Sequence, residues 1–594
     1  MSDRHDSVSA DVNEPLRLYR DTLRAAHAES VAKHFEDLVR ISGVDEDANR
    51  ETIRRLKHHT TSRTSSRIRK TFWLTLLILL SVIGVSLVII ALNYGGWHLL
   101  WLVGSVAIVW TAISLIAPKI SLLNGRIRVL QQEIEALTEE SWAQMKPVNA
   151  LFRSGDAGML AERTFPNLQI DEYFSERALG DFVTTYGLDK SFNEGRSILK
   201  AQSGKLFQNP IAITRYLEHW IGERDYEGSL VINWTETITN AKGLRQRVHR
   251  TQVLVASVTK PYPEFAESVA ILLGHEAAPN LNFSRTPSRL SGLGEGSIAR
   301  LLKSGALKGI EYKAVRELTS GRGHVTVMSN PEFETLFQAL DRSNEIEFRL
   351  LFTPLSQQEM VSLLKDDSVG YGDDFTLIKK GRMNFIEAEH LSRFEFDPDP
   401  RLFANNDLEA AREFFNSYHN EYFRSVFFGI APFLAIPLYT EARRLPSVRN
   451  SEEADAPNFW EVEAMANEIG EHELSHPDSV TRNLLNAEIA EYRKDGVIAS
   501  VTALGFEGIE RVDYESVFGG DGKWHRVPVP WTEYIPVTQT TPVVVSRVAE
   551  ERDPNHPKSL TVEGWKSLIK NLGGDESASV RKGSLRAAII RKVR

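Results

Sequence analysis

Two apolar runs constrain this chain more than anything else in it. "FWLTLLILLSVIGVSLVIIAL" extends from Phe72 to Leu92 and "LLWLVGSVAIVWTAISLIA" from Leu99 to Ala117, and neither contains a charged residue. Each is about 20 residues, the length a helix needs to cross roughly 30 Å of hydrocarbon. The loop "NYGGWH", Asn93 to His98, is short and turn-forming, so the two helices are expected to run antiparallel. A buried hairpin in a soluble core is the plainer alternative, but uncharged runs of this length are rare there. The lipid bilayer is therefore the expected partner of residues 72–92 and 99–117.

Flanking charge predicts the orientation. Arg54, Arg55, Lys57, Arg63, Arg67, Arg69 and Lys70 precede the first run, Lys119, Arg126 and Arg128 follow the second, and the loop between has no Lys or Arg. The excess of cations on one side places both termini in the cytoplasm of a multi-pass cell-membrane protein. Trp73, Trp97 and Trp101 fall near the ends of the runs, where indole rings favour the interface. The first run starts too far from Met1, and is too long, for the core of a cleaved signal peptide.

Composition narrows the remainder. The 594 residues are 42% hydrophobic and 25% charged, which suits folded domains with a sizeable core. Cysteine is absent, which removes disulfides, thiolate metal sites and thiol nucleophiles and suits a reducing compartment. The net charge is −9, although much of the basic charge sits beside the apolar runs and in the C-terminal tail. An acidic body repels phosphate backbones, so no nucleic-acid partner is expected.

The fold class expected is α+β: an N-terminal transmembrane helical hairpin with a large mixed cytoplasmic domain. Residues 1–70 read as a cytoplasmic helical region with a basic collar. An amphipathic helix over 14–41 carries Leu16, Leu23, Phe35, Leu38 and Val39, and a polar linker spans His58 to Arg67. Residues 71–118 form the hairpin. Residues 119–150 continue as a membrane-proximal helix with Ile127, Leu130, Ile134 and Leu137 on one face, kinked or restarted near Pro118, and able to pair with the N-terminal helix as a stalk.

Residues 151–575 form the α+β region. "GSLVINWTETI" and "RVHRTQVLVASVTK" alternate around the turn "TNAKG" as a long β-hairpin. "GVIASVTALGF", "IERVDYESVF" and "KWHRVPVPWTEYI" read as strands, with a tight turn at Gly519 to Gly522. "HVTVMSN" and "EIEFRLLFT" read as strands too. Asn330 before Pro331 and Thr353 before Pro354 are cap-then-proline helix starts. "SVFFGIAPFLAIPLY", Ser425 to Tyr439, is too short to span a bilayer and reads as a core helix. The tail, 576–594, places six cations around Leu585, Ile589, Ile590 and Val593 and is a candidate contact for anionic lipid.

Three motifs carry candidate chemistry. "GYGDD", Gly370 to Asp374, resembles the metal-binding turn of a template-copying polymerase. Such a turn needs apolar strands on both sides and a further carboxylate, whereas "LLKDDSV" upstream is a helix end and a polar loop. "GLGEGSIARLL", Gly292 to Leu302, resembles a phosphate nest, but no strand precedes it. The sharpest is "EHELSHPDS". His472, Glu473 and His476 match His-Glu-x-x-His, in which two histidines one helical turn apart hold zinc and the glutamate acts as general base. Glu488 or Glu491, expected on the next helical stretch, would supply a third ligand. Pro477 opposes this, because it biases His476 away from helical dihedrals.

"TQVLVASVTKPYPEF", "EAAPNLNFSRTPS", "EFRLLFTPLSQQEM", "VGYGDDF" and "FFGIAPFLAIPLY", together with the hairpin, resemble an uncharacterised family of large bacterial two-span membrane proteins of the mollicute and Gram-positive type. The resemblance implies a bacterial origin and a shared cytoplasmic domain; it implies no activity. The function expected is a non-enzymatic, membrane-anchored scaffold or partner-binding protein without a cofactor. The alternative is a membrane-tethered cytoplasmic metallopeptidase with catalytic Glu473 and zinc on His472 and His476.

Overall fold

Helix and antiparallel sheet share the chain, as the α+β expectation requires. A computed structural model describes residues 12–94, 100–153, 155–171, 174–239, 245–288, 290, 304–309, 312, 328–396, 400–441, 457–493, 496–548 and 587–592. They divide into two compact units that interleave along the sequence. One is Val31–Phe152 with Pro400–Tyr418; the other is Met1–Ser30 and Arg153–Asp399 with His419–Arg594.

The first unit is helical. It contains most of α1 (Arg24–Ser42) and all of α2 (Glu46–Tyr94) and α3 (Leu100–Asn149). Among the described residues α2 is the one helix long and apolar enough to cross a membrane. Phe72, Leu79, Val82, Val85 and Ile89 are all more than half exposed along it. The second apolar run lies on α3, and the turn at residues 95–99 is outside the described residues.

Three expectations change here. The polar stretch His58 to Arg67 is not a linker but part of α2. Its hydroxyls turn back onto the helix, Thr61 to the Lys57 carbonyl at 2.9 Å and Thr64 to the Thr60 carbonyl at 3.0 Å, so side chains that would compete with the backbone are satisfied inside it. Next, α3 runs on through Pro118 instead of restarting there. Finally, the partner of α3 below the apolar runs is α2. Gln144 donates to Thr52, His59 meets Glu133 at 2.8 Å, Arg63 donates to Gln131, and Lys119 lies 4.1 Å from the Trp73 ring centroid, which fixes an antiparallel pair. Asparagines bind residues 400–418 to this pair: Asn49 donates to the Asn406 carbonyl and accepts from the Leu408 N–H, and Asn149 donates to the Asn405 carbonyl.

The second unit holds two antiparallel sheets. The larger contains β1 (Leu168–Ile170), β2 (Arg196–Leu206), β3 (Asn209–Thr239), β4 (Arg245–Gly274), β5 (Asn282–Arg285), β6 (Phe375–Lys380) and β7 (Met383–Ala388), in the order β1-β2-β3-β4-β7-β6-β5. The smaller contains β8 (Leu484–Arg493), β9 (Gly496–Phe518), β10 (Trp524–Val548) and β11 (Ala587–Lys592), in the order β11-β10-β9-β8. Part of the basic tail is thus a strand, paired from Val543↔Lys592 to Val548↔Ala587.

Both expected hairpins form, and both outrun their sheets. The ladder between β3 and β4 is unbroken from Ile211↔Leu273 to Thr239↔Arg245, while β2 ends at Glu218 and β7 at Ala270. β9 and β10 likewise continue past β8 and β11 as a two-stranded ribbon. The two ribbons stack into one arm, burying Ile232, Leu254 and Ala256 against Val527 and Val529. Gly228 permits the approach, since a Cβ there would lie 2.0 Å from the Pro528 carbonyl oxygen. Lys260 adds an ion pair to Asp513 at 2.5 Å. Pro261 and Pro263 share one parity on β4, and Pro528, Pro530 and Pro536 one parity on β10. Their ladders to the partner strands are intact, so the missing N–H groups fall on the free edges, where they blunt strand addition.

The helices of this unit include α4 (Pro331–Phe337), α5 (Glu345–Leu351), α6 (Pro354–Lys365), α7 (Glu389–Ser392), α8 (Leu408–Leu434, shared with the first unit), α9 (Phe459–Ile469) and α10 (Glu471–Leu474). Asn330 and Thr353 cap α4 and α6 as expected. "EIEFRLLFT" is helix, not strand. The Asn344 side chain accepts from the Glu347 N–H, Glu345 and Glu347 occupy the acidic-favoured first turn, and Phe348 and Leu351 are buried at helical spacing. The strand expected over "HVTVMSN" falls largely outside the described residues. The run from Ser425 onward is core: Val426, Phe427, Ile430, Ala431, Phe433 and Leu434 are buried on α8.

Candidate functional site

A buried polar cluster of the second unit is built on the Tyr371-Gly372-Asp373-Asp374 turn between α6 and β6. Asp366 starts it by accepting from the Ser368 and Val369 N–H groups at 2.8 and 2.9 Å. Gly372 has φ +66°, a left-handed conformation that favours glycine. Asp373 then meets the buried Arg285 of β5 at 2.5 Å, and its second oxygen accepts from the Ser288 N–H at 2.7 Å. Arg285 also donates to the Phe375 carbonyl at 2.7 Å. Asp374 lies 2.5 Å from His390 Nδ1 and accepts from the His390 N–H at 3.2 Å.

His390 Nε2 faces the Ser425 carbonyl oxygen at 3.1 Å, and the Tyr371 ring stacks on the imidazole at 4.0 Å. The Tyr371 hydroxyl donates to Glu421 at 2.5 Å, and burial together with that carboxylate raises its pKa. An Asp-His pair beside a serine invites comparison with a hydrolase. However, the Ser425 hydroxyl meets Tyr371 at 3.1 Å and not the imidazole, so nucleophile and base are not in contact. The two aspartates serve different partners, Arg285 and His390, rather than converging on one point as two metal ions would require. The turn works as a lock that joins β5, β6, α7 and α8.

The His472-Glu473-x-x-His476 residues are placed otherwise than a single helix would place them. Gly470, at φ +117°, ends α9, and α10 covers only Glu471–Leu474. Ser475 is extended at φ −73°, ψ 160°, and its hydroxyl donates to the His472 carbonyl at 3.0 Å. His476 therefore lies past the helix end, where its Nδ1 accepts from the Asp478 N–H at 3.3 Å. Glu488 and Glu491 sit on strand β8, not on a helix. Among the described residues no three His, Asp or Glu side chains are grouped to hold a metal ion. The "GLGEGSIARLL" stretch lies outside the described residues.

Two buried ionisable groups were not anticipated. Glu463 on α9 accepts from the Ile198 and Ala487 N–H groups, both at 3.0 Å, and from the Asn193 amide at 2.7 Å, joining β2 to β8; burial pushes its carboxyl up to about 8. Lys379 on β6 donates to the Ala277 and Gly381 carbonyls at 2.9 and 2.6 Å, and burial brings its ammonium down to about 7. Each has close protein partners in a packed interior, as a structural group does.

Apart from the long helices, a set of exposed apolar side chains lies on the arm. Val512, Tyr514, Phe518 and Trp524 share one face of the β9/β10 ribbon and are 51%, 53%, 55% and 70% exposed. The signal was present in "VDYESVF" and "WHRVPVPW", where both parities carry large apolar residues although one face suffices for a core. No protein-family model matches the chain, and neither a curated protein nor a solved structure does.

Proposed function

We propose that this protein is a membrane-anchored, partner-binding scaffold. Its two apolar runs cross the bilayer as a helical hairpin, both termini are cytoplasmic, and the β-arm presents a recognition surface. The observation that carries the anchor is α2, whose most apolar stretch is only 6% buried and so needs lipid around it. The binding role rests on the arm, which exposes contiguous aromatic side chains, while the polar turn at Asp373 and Asp374 is closed by protein partners. Alkaline extraction tests the anchor. The chain is expected to stay in the membrane pellet, and Leu79→Arg with Val82→Arg to release a soluble fraction; release of the unaltered chain overturns the reading.

The metallopeptidase reading draws on the His-Glu-x-x-His pattern alone. Metal analysis of protein purified in mild detergent separates the two. The scaffold carries no stoichiometric zinc, and His472→Ala, at an exposed position, changes stability by no more than about 0.5 kcal/mol. About one zinc per chain, lost on His476→Ala, would move the protein to the hydrolases.

A further inference from the structure

We infer that the outer face of the β9/β10 ribbon docks on an anionic lipid surface. The inference rests on the membrane anchor proposed above. Ladder register puts Phe518 opposite Trp524, Ser516 opposite Arg526, Tyr514 opposite Pro528 and Val512 opposite Pro530. These pairs alternate with Val517, Val527 and Val529, which face the β3/β4 ribbon, so they all point away from it.

The face has the chemistry of a bilayer interface. Phe518 and Trp524 meet edge to face at 5.5 Å, and Arg526 covers Tyr514 at 4.8 Å. Aromatic rings beside guanidinium and ammonium groups settle at headgroup depth, with the rings among the upper acyl carbons and the cations on the phosphates. Arg526 is the one charge among these four pairs, and Lys523 adjoins them in the turn. Asp513 and Glu515 alternate to the opposite face with Val529 and Val527, Asp521 in the turn is held by the His525 imidazole at 2.9 Å, and the next carboxylate on this face along β9 is Glu510. Four pairs that carry one cation and no carboxylate are complementary to the phosphates of anionic lipid.

Strand addition is disfavoured, because Pro528 and Pro530 remove donors from the free edge of β10.

The absence of cysteine provides the test. Ser516→Cys, labelled with an environment-sensitive fluorophore, is placed in the full chain and reconstituted in nanodiscs of neutral or partly anionic lipid. The expected result is blue-shifted emission in anionic discs only, reversed by molar salt and lost in Trp524→Ala with Arg526→Glu. Both substituted side chains are at the surface, so the fold is retained. Equal emission in the two disc types overturns docking while leaving the anchor intact. A shift that depends on the number of chains per disc overturns it in favour of a second copy. Failure of the chain to remain with the discs through gel filtration removes the anchor on which docking depends.

Discussion

At the scale of single residues the buried ion pairs dominate what a substitution costs. Arg285 and Asp373 have side chains 0% and 2% exposed and meet at 2.5 Å. Removing one partner leaves a charge buried without compensation, so Asp373→Ala should cost about 3–5 kcal/mol. Asp373→Leu combined with Arg285→Met should cost clearly less, as read by chemical denaturation. The sequence singled out Asp373 through its neighbours but not its role, because Arg285 is far away along the chain and the two meet only when β5 pairs with β6. Glu463 gives a second prediction. Burial raises its folded pKa from 4.5 to about 8, so the folded state binds that proton more tightly than the unfolded one. Its contribution is complete below the unfolded value and fades as pH rises through about 8. Melting temperature should therefore carry a declining contribution from this group between about pH 4.5 and 8 that levels off above about 8, and Glu463→Gln, which cannot ionise, should flatten that slope. The same variant should be less stable overall by about 1–3 kcal/mol, since its amide would face one of the N–H donors that the carboxyl now accepts.

Among elements, legibility followed how local the deciding interactions are. The β3/β4 and β9/β10 hairpins were readable because alternation and turn residues lie within a few positions of each other. The caps at Asn330 and Thr353 were readable for the same reason. "EIEFRLLFT" misled because its apolar residues fit either period, and the Asn344 cap immediately upstream was the discriminating signal. The stacking of the ribbons was not readable, since it joins Gly228 to Pro528 across 300 residues. Gly228→Val tests it. The added carbons must push Pro528 aside, so the two ribbons should separate locally at a cost of about 1–3 kcal/mol. Hydrogen exchange should quicken at Leu230, Ile232, Val527 and Val529, with little change in the core around α9. Unchanged protection at these four amides would mean that the ribbons do not pack through this contact.

At the scale of the whole molecule, the apolar runs were legible as long helix because each is an unbroken uncharged stretch of about 20 residues, the length a bilayer crossing needs. The pairing of residues 400–418 with the long helices was not, since it is written in asparagine contacts spanning more than 250 residues. In the proposed hairpin the flanking charge sets the orientation. If the cations before Phe72 and after Ala117 stay inside, single cysteines at exposed Ser65 and at Ser516 are shielded in intact cells from a membrane-impermeant thiol reagent, and one at Gly95 reacts. All three should react once the membrane is permeabilised, which separates shielding by lipid from shielding by fold. Ser65 and Ser516 probe the two sides of the argument differently: Ser65 lies on α2 beside the basic collar, and Ser516 lies on the arm, more than 390 residues after the second run. Labelling of Ser516 with protection of Ser65 would mean that the chain crosses the membrane an odd number of times between them. That result would remove the hairpin while keeping the anchor. Labelling of both, with Gly95 protected, would turn the whole protein outward and put the arm on the other side of the bilayer.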